Sequence, residues 1–335
     1  MVTGILVLAL GIYCGLSFIL LRWPTLLHKK KASKIQATVV CHRGGSGEFI
    51  ENTIHAFTSA VEMGADMLEI DCQLTKDEEV VISHDNDLTR GTGVANHISD
   101  LNFDELPQYK DTLDVTFGFG RVCTAKEGVS RSIPLLRTVF ERFPQVPINI
   151  DVKTDSDVLI KNISDLIEEF GRRDITVWGS FSDEINRKCR LVNPKIATFV
   201  PIKRTFMMVV AYYVGLLPFL PLPDGFYEVP LVPLFGRMQN VIDYVKSWVG
   251  MIPAFFKFGF SDDYIYGIIL NFLDQKLIDH LRARGLKVFF WVCNEEKDFD
   301  KAFSMGRVAI VTDYPSELLK YLQNHPEIER SSTSS

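Results

Sequence analysis

The six cysteines, Cys14, Cys41, Cys72, Cys123, Cys189 and Cys293, fall in no disulfide-framework or metal-ligand spacing. That excludes a stapled secreted scaffold and a thiolate metal centre. Several lie in apolar strand-like runs, where free cysteine packs as a small hydrophobe, as expected in a reducing compartment. Also missing is a basic stripe with interleaved aromatics, and the net charge is only −6, so nucleic acid is not an expected partner. What is present is apolar bulk: 335 residues, 47% hydrophobic and 23% charged. That is enough for a single core of ~250 residues with additions. Asn162-Ile163-Ser164 matches a glycosylation acceptor, but it sits in a helical pattern and decides nothing.

Residues 2–21 carry no charge, and Arg22, Trp23, Lys29, Lys30, Lys31 and Lys34 follow them. An apolar helix of ~20 residues spans ~30 Å of hydrocarbon. The run has no basic region before it, is long for a signal peptide and ends in no small-residue cleavage site. Residues 1–23 therefore read as an uncleaved transmembrane anchor and 24–36 as a basic linker. The lysines on the C-terminal side place the remainder in the cytosol.

From residue 37 onward, strand and helix patterns alternate. Strands are expected at 37–41, 67–74, 80–83, 147–152, 175–178, 196–200, 286–292 and 308–312. Helices are expected at 53–63, 134–143, 157–170, 183–191, 274–284 and 295–305. Eight strands alternating with helices predict a closed TIM (β/α)8 barrel over residues 37–320. A polar excursion runs from Leu88 to about Ser132, and residues 321–335 form a polar tail. The rhythm breaks over residues 201–273, which are rich in Phe, Tyr, Met, Pro and Val. A second crossing there would separate the last strands from the first six and prevent closure. This stretch is expected to be a hydrophobic insert between the sixth and seventh strands that dips into a bilayer or cups an acyl chain.

The chemistry gathers at strand ends. His42 and Arg43 close the first expected strand, Glu69 and Asp71 lie in the second, and His84 and Asp85 close the third. In a parallel barrel such positions converge on one face. Two imidazoles suit paired acid and base work. Glu69 and Asp71, two apart on a strand, share a face, and an unpaired buried carboxylate pair is costly unless a cation joins it. Hard oxygen ligands suit Mg²⁺ or Ca²⁺. Asp151 and Lys153 share a face at the end of a later strand. Arg43 offers a planar fork for phosphate oxygens. Asn52 is either a helix N-cap or a pocket residue. Gly44, Gly45 and Gly47 read as a tight strand exit. The constellation points to metal-assisted attack on a phosphate ester.

His42-Arg43-Gly44, Glu51-Asn52-Thr53, Glu69-x-Asp71, His84-Asp85, Trp291-Val292-Cys293-Asn294 and Thr312-Asp313-Tyr314-Pro315 together resemble the glycerophosphodiester phosphodiesterase family. The N-terminal anchor, the stretch after it and the segment from Tyr213 to Pro221 resemble its membrane-bound lysophospholipase D branch. The resemblance implies His42 and His84 as general acid and base. It implies Glu69, Asp71 and Asp151 as ligands of one divalent cation, Mg²⁺ or Ca²⁺, with His84 a further candidate ligand. The family more often carries glutamate where Asp151 stands. Arg43, Glu51, Asn52, Lys153 and Trp291 are implied in substrate binding. The implied substrates are lysoglycerophospholipids and N-acyl lysophosphatidylethanolamines, hydrolysed to lysophosphatidic acid and head group at endoplasmic reticulum or perinuclear membranes. Membrane lipid is the implied partner. The rival readings are hydrolysis of water-soluble glycerophosphodiesters and a non-catalytic membrane scaffold.

Overall fold

The computed structural model describes residues 2–231 and 274–330. Eight parallel strands form the barrel: β1 (Val39–Cys41), β2 (Met67–Leu74), β6 (Ile148–Val152), β7 (Thr176–Gly179), β8 (Ala197–Thr198), β9 (Phe226–Pro230), β10 (Lys287–Trp291) and β11 (Ala309–Thr312). Their order is β8-β7-β6-β2-β1-β11-β10-β9. A parallel bridge from Phe199 to Phe226 joins the two ends into a ring. The expected barrel is therefore present, but two of its strands are not where the pattern placed them.

The first difference concerns β3 (Val80–Ile82), expected as a barrel strand. It pairs antiparallel with β2, Cys72 facing Ile82, and stands outside the ring. The short turn through Lys76, Asp77 and Glu78 explains this, because a parallel neighbour needs a crossover of a dozen or more residues. Glu78 takes a left-handed φ of 64° and Thr75 anchors the turn through its backbone bond from Glu78. The second difference is β9, which lies inside the segment expected to be an insert. Of that segment, residues 202–213 form a helix (Ile202–Tyr213) and 226–230 complete the barrel. Residues 232–273 lie outside the described residues.

Alternation along each strand sorts the lumen by height. Met67, Phe226 and Phe289 fill its lower layer together with Val40, Val177 and Val311. Two residues further along the same strands stand Glu69, Glu228 and Trp291, which line a cavity at the mouth. The outward faces, among them Leu68, Ile70, Ile148 and Ile150, pack against the surrounding helices. An apolar floor therefore carries a charged rim at the C-terminal strand ends, where barrels of this kind keep their chemistry.

The polar excursion folds around a small core of its own that includes Leu88, Ile98, Tyr109 and Leu113. Within it β4 (Thr112–Asp114) and β5 (Val122–Thr124) make a hairpin, whose connection carries Phe117 to the cavity. The N-terminal helix, Val2–Arg22, is long and apolar enough to cross a membrane. It touches the barrel along one side: Ser17 Oγ donates to the Gly215 carbonyl at 2.7 Å, and Tyr13 stacks on Phe219.

Candidate active site

The exit from β1 is a tight turn over His42–Gly44, with Arg43, Gly44 and Gly45 at φ of 51°, 82° and 96°. Glycine accepts that conformation without a Cβ clash, and the turn aims both His42 and Arg43 at the mouth. His42 Nδ1 lies 2.6 Å from Asp313 Oδ1. The two residues are neighbours because β1 and β11 run in register, Cys41 opposite Thr312. Asp313 is itself held by Ser46 and by Asn294 Nδ2 at 2.8 Å. Burial alone disfavours the His42 imidazolium, but the Asp313 carboxylate outweighs it and raises the histidine pKa.

His84 repeats the motif on the far side of the mouth, with Nδ1 2.6 Å from Asp85 Oδ1. There burial and the Arg43 charge prevail, and its pKa is lowered. Each imidazole is thus oriented by a carboxylate at Nδ1, leaving Nε2 for the cavity. The two sit in environments that push their protonation in opposite directions.

Between them lies a buried ion network. Arg43 Nη1 donates to Glu51 Oε2 at 3.1 Å, its Nε lies 3.3 Å from Asp71 Oδ2, and its backbone N–H donates to Glu69 Oε2 at 2.8 Å. Arg90 clamps the other Glu51 oxygen at 2.5 Å and also binds Asp85. Glu51 is therefore the carboxylate that holds two arginines, and its contacts are to them. Asn52 is not the N-cap of the Ile54–Glu62 helix; Thr53 Oγ1 takes that role, accepting from Ala56 N. Asn52 instead sits at φ 57° with its Nδ2 on Asp71 Oδ2 at 2.8 Å.

Asp71 and Asp151 stand opposite each other in register on β2 and β6. Lys153 Nζ bridges them, 2.8 Å from Asp71 Oδ1 and 2.6 Å from Asp151 Oδ2. Despite burial, Lys153 and Arg43 hold the Asp71 carboxyl far below the usual range. Burial and the Asp71 charge push Glu69 the other way, to about 7. Among the described residues no three His, Cys, Asp or Glu side chains converge as a coordination group. Two observations nonetheless fit a divalent cation. Asp151 Oδ1 is buried without a hydrogen-bond partner, and among the described residues the hydrogen bond given for the buried Glu69 carboxylate comes from the Arg43 backbone N–H. Both are hard oxygen donors of the kind Mg²⁺ and Ca²⁺ take.

The other wall is aromatic. Trp291 lies 5.2 Å from Phe181 and 6.2 Å from Phe117, centroid to centroid, and Phe117 reaches His42 at 5.6 Å. The cavity between charged and aromatic walls measures about 260 Å³ and takes in His42, Arg43, His84, Asp151, Lys153 and Trp291.

Several residues of this site went unassigned in the sequence. Asp313 lay in a quoted motif, but only the β1–β11 register reveals its partner. Phe117 sits in a loop excursion with no local signal. Glu228, on the strand hidden in the apolar segment, is 5% exposed and bonded to Asn149 Nδ2 at 3.0 Å. Burial raises its pKa to about 8, with Glu69 and Asp151 adding to the effect.

A (β/α)8 barrel with two carboxylate-oriented histidines and a carboxylate cluster at its mouth defines the class, and residues 42–317 match the glycerophosphoryl diester phosphodiesterase family. The chain belongs to that family and is a phosphoric diester hydrolase. It is 42% identical over 315 residues to the Homo sapiens protein named lysophospholipase D GDPD1, covering 94% of this chain and 95% of that one. To Homo sapiens lysophospholipase D GDPD3 it is 37% identical over 327 residues, covering 97% of each. The fold is shared with an Oleispira antarctica phosphodiesterase solved with sn-glycerol-3-phosphate. That match has a TM-score of 0.57 at 19% identity and covers 87% of this chain and 100% of the other.

Proposed function

We propose that this enzyme is a membrane-anchored, divalent-cation-dependent lysophospholipase D. It cleaves lysoglycerophospholipids, N-acyl lysophosphatidylethanolamines among them, to lysophosphatidic acid and the free head group. The observation that carries the reading is the two-sided cavity. A charged wall suits a phosphodiester, and an aromatic wall of Phe117, Phe181 and Trp291 suits an acyl chain. The names of the relatives and the apolar helix at Val2–Arg22 point the same way, with the barrel on the cytosolic side.

In this reading Glu69, Asp71 and Asp151 would hold the cation, which would polarise a phosphoryl oxygen. Lys153, paired with Asp71 and Asp151, lines the same cavity and offers a phosphate oxygen a point charge. Arg43 is fixed by Glu51 and Asp71, so its guanidinium faces developing negative charge at no cost of reorganisation. His84, with its lowered pKa, accepts a proton from the attacking water as the new P–O bond forms. His42, whose pKa Asp313 raises, gives a proton to the head-group oxygen as its bond to phosphorus breaks. The divergence of the two imidazoles supports this division of roles.

The test is a comparison of lysophosphatidylcholine with glycerophosphocholine on the purified full-length protein, with and without chelator, then with Mg²⁺ or Ca²⁺ restored. Choline release from the acylated substrate that stops with chelator and returns with one cation supports the reading. Preference for glycerophosphocholine would favour the water-soluble substrates instead, and chelator-insensitive turnover would remove the cation.

A further inference from the structure

A second cavity, of about 560 Å³, opens at the opposite end of the barrel. Gln36, Lys287 and Arg307 line it from the residues that precede or begin β1, β10 and β11, which places it at the N-terminal strand ends. Its charge is one-sided. Among the described residues, Lys30, Lys31, Arg282, Lys287 and Arg307 border it, with Asp279 as the acid in its lining. Arg282 lies 3.6 Å from that acid and also donates to the Met305 carbonyl. Lys287 Nζ rests on a neutral partner, Gln36 Oε1, at 3.1 Å. Burial lowers the Lys287 pKa, and Arg307 and Lys30 add like-charge repulsion. Lys31 Nζ donates to the Pro223 carbonyl at 3.1 Å.

The cavity is a built feature. The linker wall is strapped to the barrel by Lys31 N–H donating to the Arg284 carbonyl at 2.9 Å. Gly285, at φ +91°, lets the Lys31 backbone approach so closely that any Cβ would collide with it. His28 Nε2, 3.0 Å from the Pro218 carbonyl, ties the same linker to the segment on which the apolar helix docks. From the end of that helix at Arg22 to Lys30 the chain reaches at most ~30 Å. A helix seated in a bilayer therefore delivers this basic recess to the head-group region.

We infer that this recess binds the phosphate group of an anionic membrane lipid and so fixes the stance of the barrel on the bilayer. Clustered lysine and arginine next to a membrane helix attract such head groups, each adding to the affinity at the surface. The inference rests on the membrane anchor of the proposed function, but not on the chemistry at the barrel mouth.

The test uses full-length protein in detergent micelles, with lipid adducts counted by native mass spectrometry after titration with phosphatidic acid or phosphatidylcholine. Wild type should retain phosphatidic acid over phosphatidylcholine, and the double variant Lys287→Gln, Arg307→Gln should weaken that retention roughly tenfold or more. His84→Ala, at the opposite end, should retain it fully. The double variant should still hydrolyse micellar lysophospholipid at the wild-type rate, which reports its folding. Lys30→Glu, on the exposed linker, should weaken retention as well and carries the test if the double variant fails to fold. Equal adducts with both lipids, or retention unchanged in the variants, would overturn the proposal. Displacement of the lipid by an equal concentration of inorganic phosphate would assign the recess to free phosphate and overturn the lipid assignment.

Discussion

Asp313 acts on the reaction only through His42, so its removal should appear in the pH profile. The carboxylate raises the imidazole pKa above its ordinary value, and in the proposed role the His42 acid must be protonated. Activity then falls on the basic side as His42 loses its proton. In Asp313→Asn the stabilising charge is gone, so the basic limb of kcat/KM should move to lower pH. The acidic limb, set by His84 with its lowered pKa, should stay in place. A profile unchanged on the basic side would remove His42 from the acid role. Glu228 allows a stability measurement. Its folded pKa of about 8 exceeds the ordinary carboxyl value, so the native state keeps a proton that the unfolded chain gives up. That contribution is whole at acid pH and is lost as pH rises from about 4.5 through 8. Glu228→Gln should therefore gain stability over wild type in urea unfolding at pH 8 and show little difference at pH 4. Equal stabilities at both would mean that the native carboxyl is ionised.

Among the elements, the strands with polar ends and short flanking helices were legible, because a period of two ending in charge is a local signal. β2 announces Glu69 and Asp71 in this way, and β6 announces Asp151. β9 was not legible. Its run Phe226–Pro230 is short, with Glu228 as its one charge, and lies inside a longer apolar stretch that masks it. β3 misled for a different reason: its composition suits a strand, and only the length of the turn before it argues against a parallel neighbour. The hairpin of β4 and β5 was equally silent, since Phe117 matters only through its contacts with His42 and Trp291. If that ring forms the wall for an acyl chain, Phe117→Ala should raise KM for lysophosphatidylcholine several-fold, the loss expected for an aromatic contact. KM for glycerophosphocholine should hardly change. A matching rise for both substrates would place the ring in the chemistry rather than in chain recognition.

At the scale of the whole molecule, the barrel divides its work by height. An apolar floor of Met67, Phe226 and Phe289 supports a rim of ionisable groups. A basic recess lies at the other end, beside the linker from the apolar helix. The sequence pattern foresaw the ring, the apolar N-terminal helix and most of the side chains gathered at the rim. It did not foresee contacts across the ring, such as His42 with Asp313, 271 residues apart, because register between first and last strands exists only after closure. The most direct measurement is choline and lysophosphatidic acid release from lysophosphatidylcholine by the full-length wild type, His42→Ala and His84→Ala, with native folding checked by circular dichroism. The account expects both products from wild type and a loss of about 10²- to 10⁴-fold in each variant, the scale of a lost acid or base. Folded variants that keep wild-type turnover would contradict it.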